Sequence, residues 1–343
     1  NRDYQKNAIR AVCNAFSENR RKSLIVMATG TGKTRVSIST VDVLMKANWV
    51  KNVLFLADRT SLVKQAHKNF NKLLPNVTTS VYSGGSMNRD ENARVIFSTY
   101  QTMIGLINDE KKQFGIGRFD LIIIDEAHRS IFKKYGALFH YFDALMLGLT
   151  ATPRSEENKS TYQVFALKTN EPDMAYELEE AIADHYLVGF TILDKTTEAM
   201  KRGIKYDDLT EEQKEQFEEE FTPHDEETPD YTGAEIDGSI IGRRVINLGT
   251  IDAMLGDLMK NGLKVDGGDK LGKTIIFASS HLEAVKIVER FNHLYHELGR
   301  DFCALIDSHV ENSDNLIEKL EQRDSLPQIA VSVDMLDTGI DVP

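Results

Sequence analysis

Short apolar runs alternate with segments that can form helices along most of this 343-residue chain. Five runs have the composition of buried strands: residues 23–27, 119–124, 274–277, 303–306 and 328–333. Candidate helices stand between or after these runs: residues 35–41, 245–258, 281–298 and 312–323. Strands that alternate with helices are typical of parallel sheets, so the pattern predicts an α/β fold. The length is sufficient for two domains with separate cores.

A glycine-rich loop follows the first run, where residues 27–34 read Met-Ala-Thr-Gly-Thr-Gly-Lys-Thr. Its glycines allow backbone N–H groups to close around phosphate oxygens, and the following helix adds the positive end of its dipole. In this strand–loop–helix context Lys33 can reach the β- and γ-phosphates of a nucleotide, and the Thr34 hydroxyl can ligate Mg²⁺. The residues predicted to contact the nucleotide here are Thr29, Gly30, Thr31, Gly32, Lys33 and Thr34.

The loop departs from the strict phosphate-binding pattern at one position, because Met27 stands where that pattern has glycine. Short motifs also occur by chance, so a glycine-rich turn with an unrelated lysine is the alternative interpretation. A second motif further along the chain decides between the two.

Two adjacent carboxylates, Asp125 and Glu126, follow the apolar run 119–124 in the sequence Asp-Glu-Ala-His. Ligands of open α/β sheets bind at the carboxyl ends of the strands. There Asp125 can hold Mg²⁺ and Glu126 can polarise an attacking water. Taken alone, the two acids could instead occupy the first turn of a helix. The upstream loop, in the expected order, favours hydrolysis of a nucleoside triphosphate by Lys33, Asp125 and Glu126.

This pair of motifs resembles the motor of superfamily 2 helicases and translocases, and further segments match that family in order. Residues 2–5 match its adenine-reading segment, and residues 56–65 and 98–102 match two motifs that contact nucleic acid. Residues 148–153 match the coupling motif, and residues 273–278 match the first strand of the second lobe. Residues 331–343 match a motif that faces both ATP and nucleic acid. The resemblance implies two RecA-like lobes in tandem, the second incomplete at its C-terminus. The implied boundaries are 1–190 for the first lobe, 191–240 for a linker and 241–343 for the second lobe.

The resemblance also assigns roles to individual residues. Gln5 would read the adenine base, and Gly339 and Asp341 would contact the nucleotide from the second lobe. The residues that would couple the carboxylate site to the DNA face are His128, Thr150 and Thr152. The residues that would contact DNA are Arg59, Thr99 and Thr338. Mg²⁺ would be held by Thr34 and Asp125.

Several segments are similar in detail to the R (restriction) subunit of type I restriction–modification enzymes, among them residues 57–62, 125–130, 176–188 and 334–343. His185 departs from that family, which has glycine at the matching position. The resemblance implies an ATP-driven translocase on double-stranded DNA that works with modification (M) and specificity (S) subunits. In the family a nuclease domain precedes this region, and an arginine motif that meets the γ-phosphate would follow Pro343. We therefore expect the chain alone to hydrolyse ATP weakly.

Two other functions stay open at this point. One is a free-standing superfamily 2 helicase that acts on DNA or RNA. The other is a nucleotide-gated DNA-binding or assembly module whose ATP turnover is incidental.

Charge is distributed unevenly along the chain, although its formal net charge is −12. Residues 1–170 contain 25 Lys and Arg against 14 Asp and Glu, whereas residues 194–238 contain 5 against 16. A basic first lobe can meet DNA phosphates, and the acidic segment can be a solvated insertion or a negative flap.

Two widely separated cysteines, Cys13 and Cys303, and the lack of a long apolar run predict a cytoplasmic protein without a membrane segment.

Overall fold

The computed structural model describes residues 2–82, 89–108, 113–127, 129–151, 165, 171–193, 203–211, 214–215, 217–218, 231–236, 248–310, 312–333 and 335–336. The chain divides into two compact units, Asn1–Phe190 and Thr191–Pro343. Five predicted site residues lie outside the described residues: His128, Thr152, Thr338, Gly339 and Asp341. The three-part division with a separate linker at 191–240 stays a prediction.

The first unit alternates strands and helices as the apolar pattern predicted. Its helices are α1 (Asp3–Ser17), α2 (Lys33–Lys46), α3 (Thr60–Leu73), α4 (Tyr100–Asn108), α5 (Arg129–Tyr141) and α6 (Leu178–Ala183). Its strands are β1 (Lys22–Met27), β2 (Val53–Ala57), β3 (Thr79–Tyr82), β4 (Val95–Thr99), β5 (Leu121–Ile124), β6 (Leu145–Thr150) and β7 (Met174–Tyr176).

These strands form one sheet in the order β3-β4-β2-β5-β6-β1-β7, and every neighbouring pair is parallel. Strand β1 lies between β6 and β7, with Val26 paired to Thr150 on one side and to Ala175 on the other. Because all strands run the same way, the loops after their carboxyl ends meet at one edge. The glycine loop and the two carboxylates are therefore brought to the same edge.

Both faces of this sheet are buried, because successive side chains of a strand point to opposite faces. Phe55 of β2 packs in one core, which the apolar faces of α1, α2 and α3 complete. Leu54 and Leu56 pack in a second core, with residues of α4 and α5. Strand β5, whose four residues are all buried, contributes alternately to the two cores. Because both faces of the sheet are covered, its central strands need apolar residues at every position.

The second unit contains a smaller parallel sheet in the order β12-β14-β13. Its strands are β12 (Thr274–Phe277), β13 (Cys303–Leu305) and β14 (Ile329–Ser332), and its helices are α7 (Leu248–Asn261), α8 (His281–Leu294) and α9 (Ser313–Leu320). Two antiparallel pairs, β8 (Ile204–Lys205) with β9 (Glu235–Ile236) and β10 (Lys264–Val265) with β11 (Lys270–Leu271), complete its described strands. Ile251, Leu255 and Phe291 belong to the core that joins α7 and α8 to the sheet.

The acidic segment has a small core of its own. Tyr206, Leu209 and Phe217 are buried together, and Tyr231 packs its ring against two of them. Leu209 and Phe217, spaced eight residues apart in the acidic segment, both contribute to this core. This part of the segment is therefore a folded element and not only solvated charge.

The α/β class with two parallel sheets is confirmed. No helix in the described part of the chain combines the length and the apolar character that crossing a lipid bilayer demands.

Candidate nucleotide-binding site

The glycine loop joins β1 to α2 and contains two residues in the left-handed region, Gly30 with φ +82° and Gly32 with φ +91°. A side chain at Gly32 would be strained by that φ, and its Cβ would lie 2.7 Å from Nε2 of Gln5. The Thr31 backbone N–H and hydroxyl both donate to the Ala28 carbonyl, at 3.2 and 2.6 Å, which closes the turn. Lys33 is the first residue of α2. The loop thus places two left-handed glycines directly before the N-terminus of a helix, as in a phosphate-binding site.

Gln5, the predicted adenine reader, is buried against this loop. Its side-chain amide donates to the Thr31 carbonyl at 3.0 Å, and its oxygen accepts from the Arg2 backbone N–H at 3.3 Å. The Tyr4 hydroxyl donates to the same Thr31 carbonyl at 2.8 Å. Gln5 therefore links α1 to the phosphate loop, and one N–H of its amide remains for another acceptor.

The carboxylate segment is held between two strands. The Asp125 N–H donates to Leu56 at the end of β2, at 2.9 Å, and the Ala127 N–H donates to Leu149 of β6, at 2.8 Å. Between them Glu126 has a φ of +51°, which is unusual for a residue with a side chain. The Tyr100 hydroxyl donates to the Asp125 carbonyl at 2.7 Å. Burial raises the pKa of Tyr100 well above its usual value, so this donor keeps its proton.

Lys33 follows β1 and the two carboxylates follow β5, and strand β6 lies between these two strands in the sheet. The Lys33 Nζ lies 3.7 Å from Oε1 of Glu126, and both side chains are largely buried, with exposed fractions of 12% and 15%. Asp125 is partly buried, and its Oδ1 accepts from the Glu126 N–H at 3.2 Å. Burial and the adjacent Glu126 carboxylate raise the pKa of Asp125 to about 6, and the Lys33 ammonium opposes that rise. A perturbed carboxyl beside a buried lysine is typical of a functional site.

The donor set fits a magnesium nucleotide. Carboxylate and hydroxyl oxygens, as in Asp125 and Thr34, are ligands that Mg²⁺ accepts together with phosphate oxygens. A cation would also compensate the cost of the ionised Asp125 beside Glu126. The left-handed glycines leave the loop backbone open to phosphate oxygens, and Lys33 is within reach of the same place. These roles stay proposals for the residues concerned.

An aromatic group beside the loop was missed in the sequence. The rings of Tyr4 and Tyr176 stack with centroids 3.9 Å apart, and the Tyr186 ring meets Tyr4 edge-on at 5.2 Å. The Arg2 guanidinium lies 4.5 Å above the Tyr186 ring. Helix α6 brings Tyr186 there, because the chain turns back at His185, whose φ is +58°. The sequence singled out residues 2–5 and 176–188 separately, but it gave no signal that their three tyrosines meet.

The remaining described site residues lie at the same sheet edge. Thr150 is the last residue of β6 and is buried. Arg59 precedes α3 after β2, and Thr99 ends β4, the neighbour of β2. The Thr99 hydroxyl accepts from the Thr102 N–H at 3.2 Å and so caps α4. The structure places these residues at the same edge of the sheet, and their predicted roles stay predictions.

Comparison with known proteins supports the family resemblance. Residues 1–155 match the family model described as type III restriction enzyme, res subunit. The endonuclease subunit of the type I restriction enzyme EcoKI from Escherichia coli (strain K12) is 26% identical over 374 aligned residues, covering 100% of this chain and 31% of the relative. The EcoAI endonuclease subunit from Escherichia coli is 35% identical over 198 residues, covering 56% of the chain and 24% of the relative.

The fold is shared with a solved structure. A fragment of an HsdR subunit of a type I restriction enzyme from Vibrio vulnificus YJ016 aligns with 100% of this chain and 56% of its own, with a TM-score of 0.64 and 23% identity. The chain spans about a quarter to a third of the length of the two curated relatives. By the family match, these relatives and the fold, the chain is similar to the endonuclease subunits of type I restriction enzymes.

Proposed function

We propose that the chain is the ATP-dependent motor of a type I restriction–modification enzyme, which couples ATP hydrolysis to translocation along double-stranded DNA before cleavage. The observation that carries the proposal is the convergence of Lys33 with Asp125 and Glu126 at the carboxyl edge of the seven-stranded sheet. A cation, a metal-ligating carboxylate and a second carboxylate at one place are the groups that hydrolysis of a phosphoanhydride requires.

Each group has a separate task in this reaction. The loop N–H groups and the Lys33 ammonium bind phosphate oxygens, so nucleotide binding replaces the Lys33–Glu126 contact. Mg²⁺, held by the Thr34 hydroxyl and the Asp125 carboxylate, would neutralise charge on those oxygens when bound. Glu126, freed from Lys33, orients and polarises the attacking water. Gln5, fixed on Thr31, is positioned to recognise the base beside the tyrosine rings.

DNA contact is proposed for the same edge and for the exposed side of α3. Lys64, Lys68 and Lys72 are exposed at four-residue intervals along that helix, so they share one face. Arg59 lies at its start and Thr99 on the adjacent strand. A row of cations can contact successive phosphates of a duplex, and such binding carries little sequence preference. A motor that moves along DNA of any sequence needs contacts of this kind.

The proposal includes partners and a location, and the similarity to type I restriction endonuclease subunits supports them. The M and S subunits would supply modification and site recognition, as the family resemblance implies. A cytoplasmic location agrees with Cys13 and Cys303, which are free thiols in the structure.

The proposal is tested with the assembled restriction enzyme that carries this chain. ATP turnover is compared with duplex DNA, single-stranded DNA and RNA as activators, and translocation is followed by displacement of a third strand from a downstream triplex. We expect duplex DNA to stimulate turnover most strongly and Lys33→Ala to abolish triplex displacement, while Lys46→Ala, an exposed lysine of the same helix, has no effect. Stronger stimulation by RNA or single strands would favour a free-standing helicase instead. Displacement by Lys33→Ala would favour an assembly module.

A further inference from the structure

Two histidines and an aspartate of the second unit converge at the carboxyl ends of its parallel strands. His281 is the first residue of α8, which follows β12, and Asp307 lies just beyond the end of β13. His309 follows in the same short turn. Strands β12 and β13 flank β14 in the sheet, so their carboxyl ends lie on the same side. The three side chains thus come from two separate loops to one place.

The donor atoms of the three residues are close enough to share a ligand. Oδ2 of Asp307 lies 2.5 Å from Nδ1 of His281 and 3.8 Å from Nδ1 of His309. One donor atom from each of the three residues lies within 4.8 Å of the other two. The two imidazole centroids are 4.6 Å apart. Two imidazoles therefore flank one carboxylate oxygen.

The backbone around this cluster is fixed by hydrogen bonds. Oδ1 of Asp307 accepts from the His309 N–H at 2.9 Å, and the Ser313 hydroxyl contacts the Asp307 carbonyl at 2.8 Å. On the other loop, the Ser280 side chain accepts from the Glu283 N–H at 3.2 Å and so caps α8 where His281 begins it. Asp307 is 2% exposed, whereas His281 and His309 are 44% and 68% exposed. The carboxylate is therefore preorganised, and one side of the cluster is open to solvent.

We propose that His281, Asp307 and His309 bind one divalent transition-metal ion, with Zn²⁺ as the preferred ion. Imidazole nitrogen with carboxylate oxygen is a donor set that Zn²⁺ accepts, whereas Ca²⁺ and Mg²⁺ prefer oxygen ligands alone. Tetrahedral Zn²⁺ with bonds of about 2.0–2.2 Å separates its ligand atoms by about 3.3 Å. To reach that spacing the His281 nitrogen must move away from Asp307 and the His309 nitrogen towards it, and the partial exposure of both imidazoles permits this. The fourth coordination position faces solvent and takes water or another ligand.

The site does not depend on the proposed motor function, because it shares no residue with the glycine loop or with Asp125 and Glu126. Its role would be to tie the start of α8 to the turn after β13. Among these three side chains, the contact of Asp307 with His281 is what joins the two loops. A bound ion would add a second link between them.

The test measures metal content rather than ATP turnover. The full chain is stripped with a chelator and dialysed against micromolar ZnCl₂ in competition with a chromogenic chelator, and bound zinc is counted per chain by mass spectrometry. We expect about one zinc per chain in the wild type. His309→Gln and Asp307→Asn should each weaken binding at least tenfold, as loss of one of three ligands requires. His296→Gln, a change at an exposed histidine in the same unit, should leave binding unchanged.

Cobalt provides an independent readout, because Co²⁺ in a four-coordinate site with nitrogen ligands absorbs visible light more strongly than six-coordinate Co²⁺ in water. We expect this absorption in the wild type and in His296→Gln and its loss in His309→Gln. Asp307→Asn can still accept the His309 N–H, so circular dichroism should show a folded protein that lacks the metal. Zinc uptake that is absent from the wild type, or equal in all four proteins, would show that Asp307 only orients His281 and would overturn the proposal.

Discussion

The ammonium group of Lys33 lies 3.7 Å from the carboxylate of Glu126, although the two residues belong to loops that follow different strands of the sheet. Both side chains are largely buried, so neither charge is fully compensated by water. The two charges therefore compensate each other in this structure, and under the proposed function a bound nucleotide would separate them. This relationship makes the roles of the two residues separable by mutation.

Lys33→Ala should weaken nucleotide binding. A hydrogen bond to a charged group contributes about 1.5–3 kcal/mol, so the affinity of the full chain for Mg²⁺–ATP should fall about 10- to 100-fold. Isothermal titration calorimetry with a non-hydrolysable analogue measures the change. The matched control is Lys46→Ala at the other end of α2, where the ammonium is exposed beside Asp42. Equal affinities of the two variants would contradict the assignment of Lys33.

Glu126→Gln should separate binding from hydrolysis. The amide keeps the size of the side chain but cannot polarise water as a base, so turnover in the assembled enzyme should fall by about 10²- to 10⁴-fold. Nucleotide affinity should stay within about threefold, because Lys33 is then free to contact the phosphates. Single-turnover hydrolysis and equilibrium binding give the two numbers. A Glu18→Gln variant, altered at an exposed carboxylate, serves as control. Unchanged turnover would show that another group activates the water.

Asp125→Asn should stabilise the chain in a pH-dependent way when nucleotide and Mg²⁺ are absent. The pKa of Asp125 in the fold, about 6, is above its ordinary value, so the folded state binds the proton more tightly than the unfolded state. The ionised carboxylate therefore lowers the free energy of unfolding at pH above 6, and this cost disappears as the pH falls from about 6 towards 4. At pH 8 the variant should be more stable by about 1–2 kcal/mol, and near pH 4 the two proteins should be equal.

Urea unfolding at several pH values measures this difference. The control is Asp42→Asn on the surface of α2, which should follow the wild type throughout. If Asp125→Asn were less stable than the wild type at pH 8, Asp125 would instead be stabilised by its surroundings. The same titration predicts that Mg²⁺–nucleotide affinity declines below pH 6, because a proton then competes with the ion for this carboxylate.

Gly32→Ala should damage the loop through its backbone. The φ of +91° is strained for alanine, and the new Cβ would lie 2.7 Å from the Gln5 amide. We expect a loss of about 1–3 kcal/mol in the free energy of unfolding, together with weaker nucleotide binding. Gly105→Ala is the matched control, because Gly105 lies within α4 and a Cβ there meets nothing within 4 Å. That change should stabilise the helix by about 0.5–1 kcal/mol. Thermal unfolding of both variants decides whether Gly32 is required.

The sequence predicted two strands well from their apolar composition. The runs at 23–27 and 274–277 became β1 and β12 to within one residue. Strand β1 is covered on both faces, whereas Phe277 at the end of β12 is exposed. Helix ends were less predictable: the segment 281–298 is helical only to Leu294 and then continues as a 3₁₀ turn, His296–Leu298. Its apolar spacing did not indicate the non-helical backbone of Tyr295.

The sequence predicted which residues form the site, but not which of them contact one another. The glycine loop and the adjacent acids are local patterns, and together they predicted a site for nucleotide hydrolysis. The Lys33–Glu126 contact depends on the strand order β5-β6-β1, which no local pattern contains. The departure at His185 has a structural meaning, because its φ of +58° is one that glycine adopts without strain. Tyr176 and Tyr186 join Tyr4 only through the placement of β7 and α6 beside β1.

The hydrogen bonds that tie Asp125 to β2 and Ala127 to β6 fix the backbone of the carboxylate segment when the chain folds. A shift of this segment towards a bound ligand would break sheet hydrogen bonds on both sides, so the carboxylates hold their positions before any nucleotide arrives. The entropy of arranging them is lost once, when the chain folds, and would not be lost again in each cycle of the proposed motor. In such a motor, the parts that change would move relative to this segment, whose backbone stays in place.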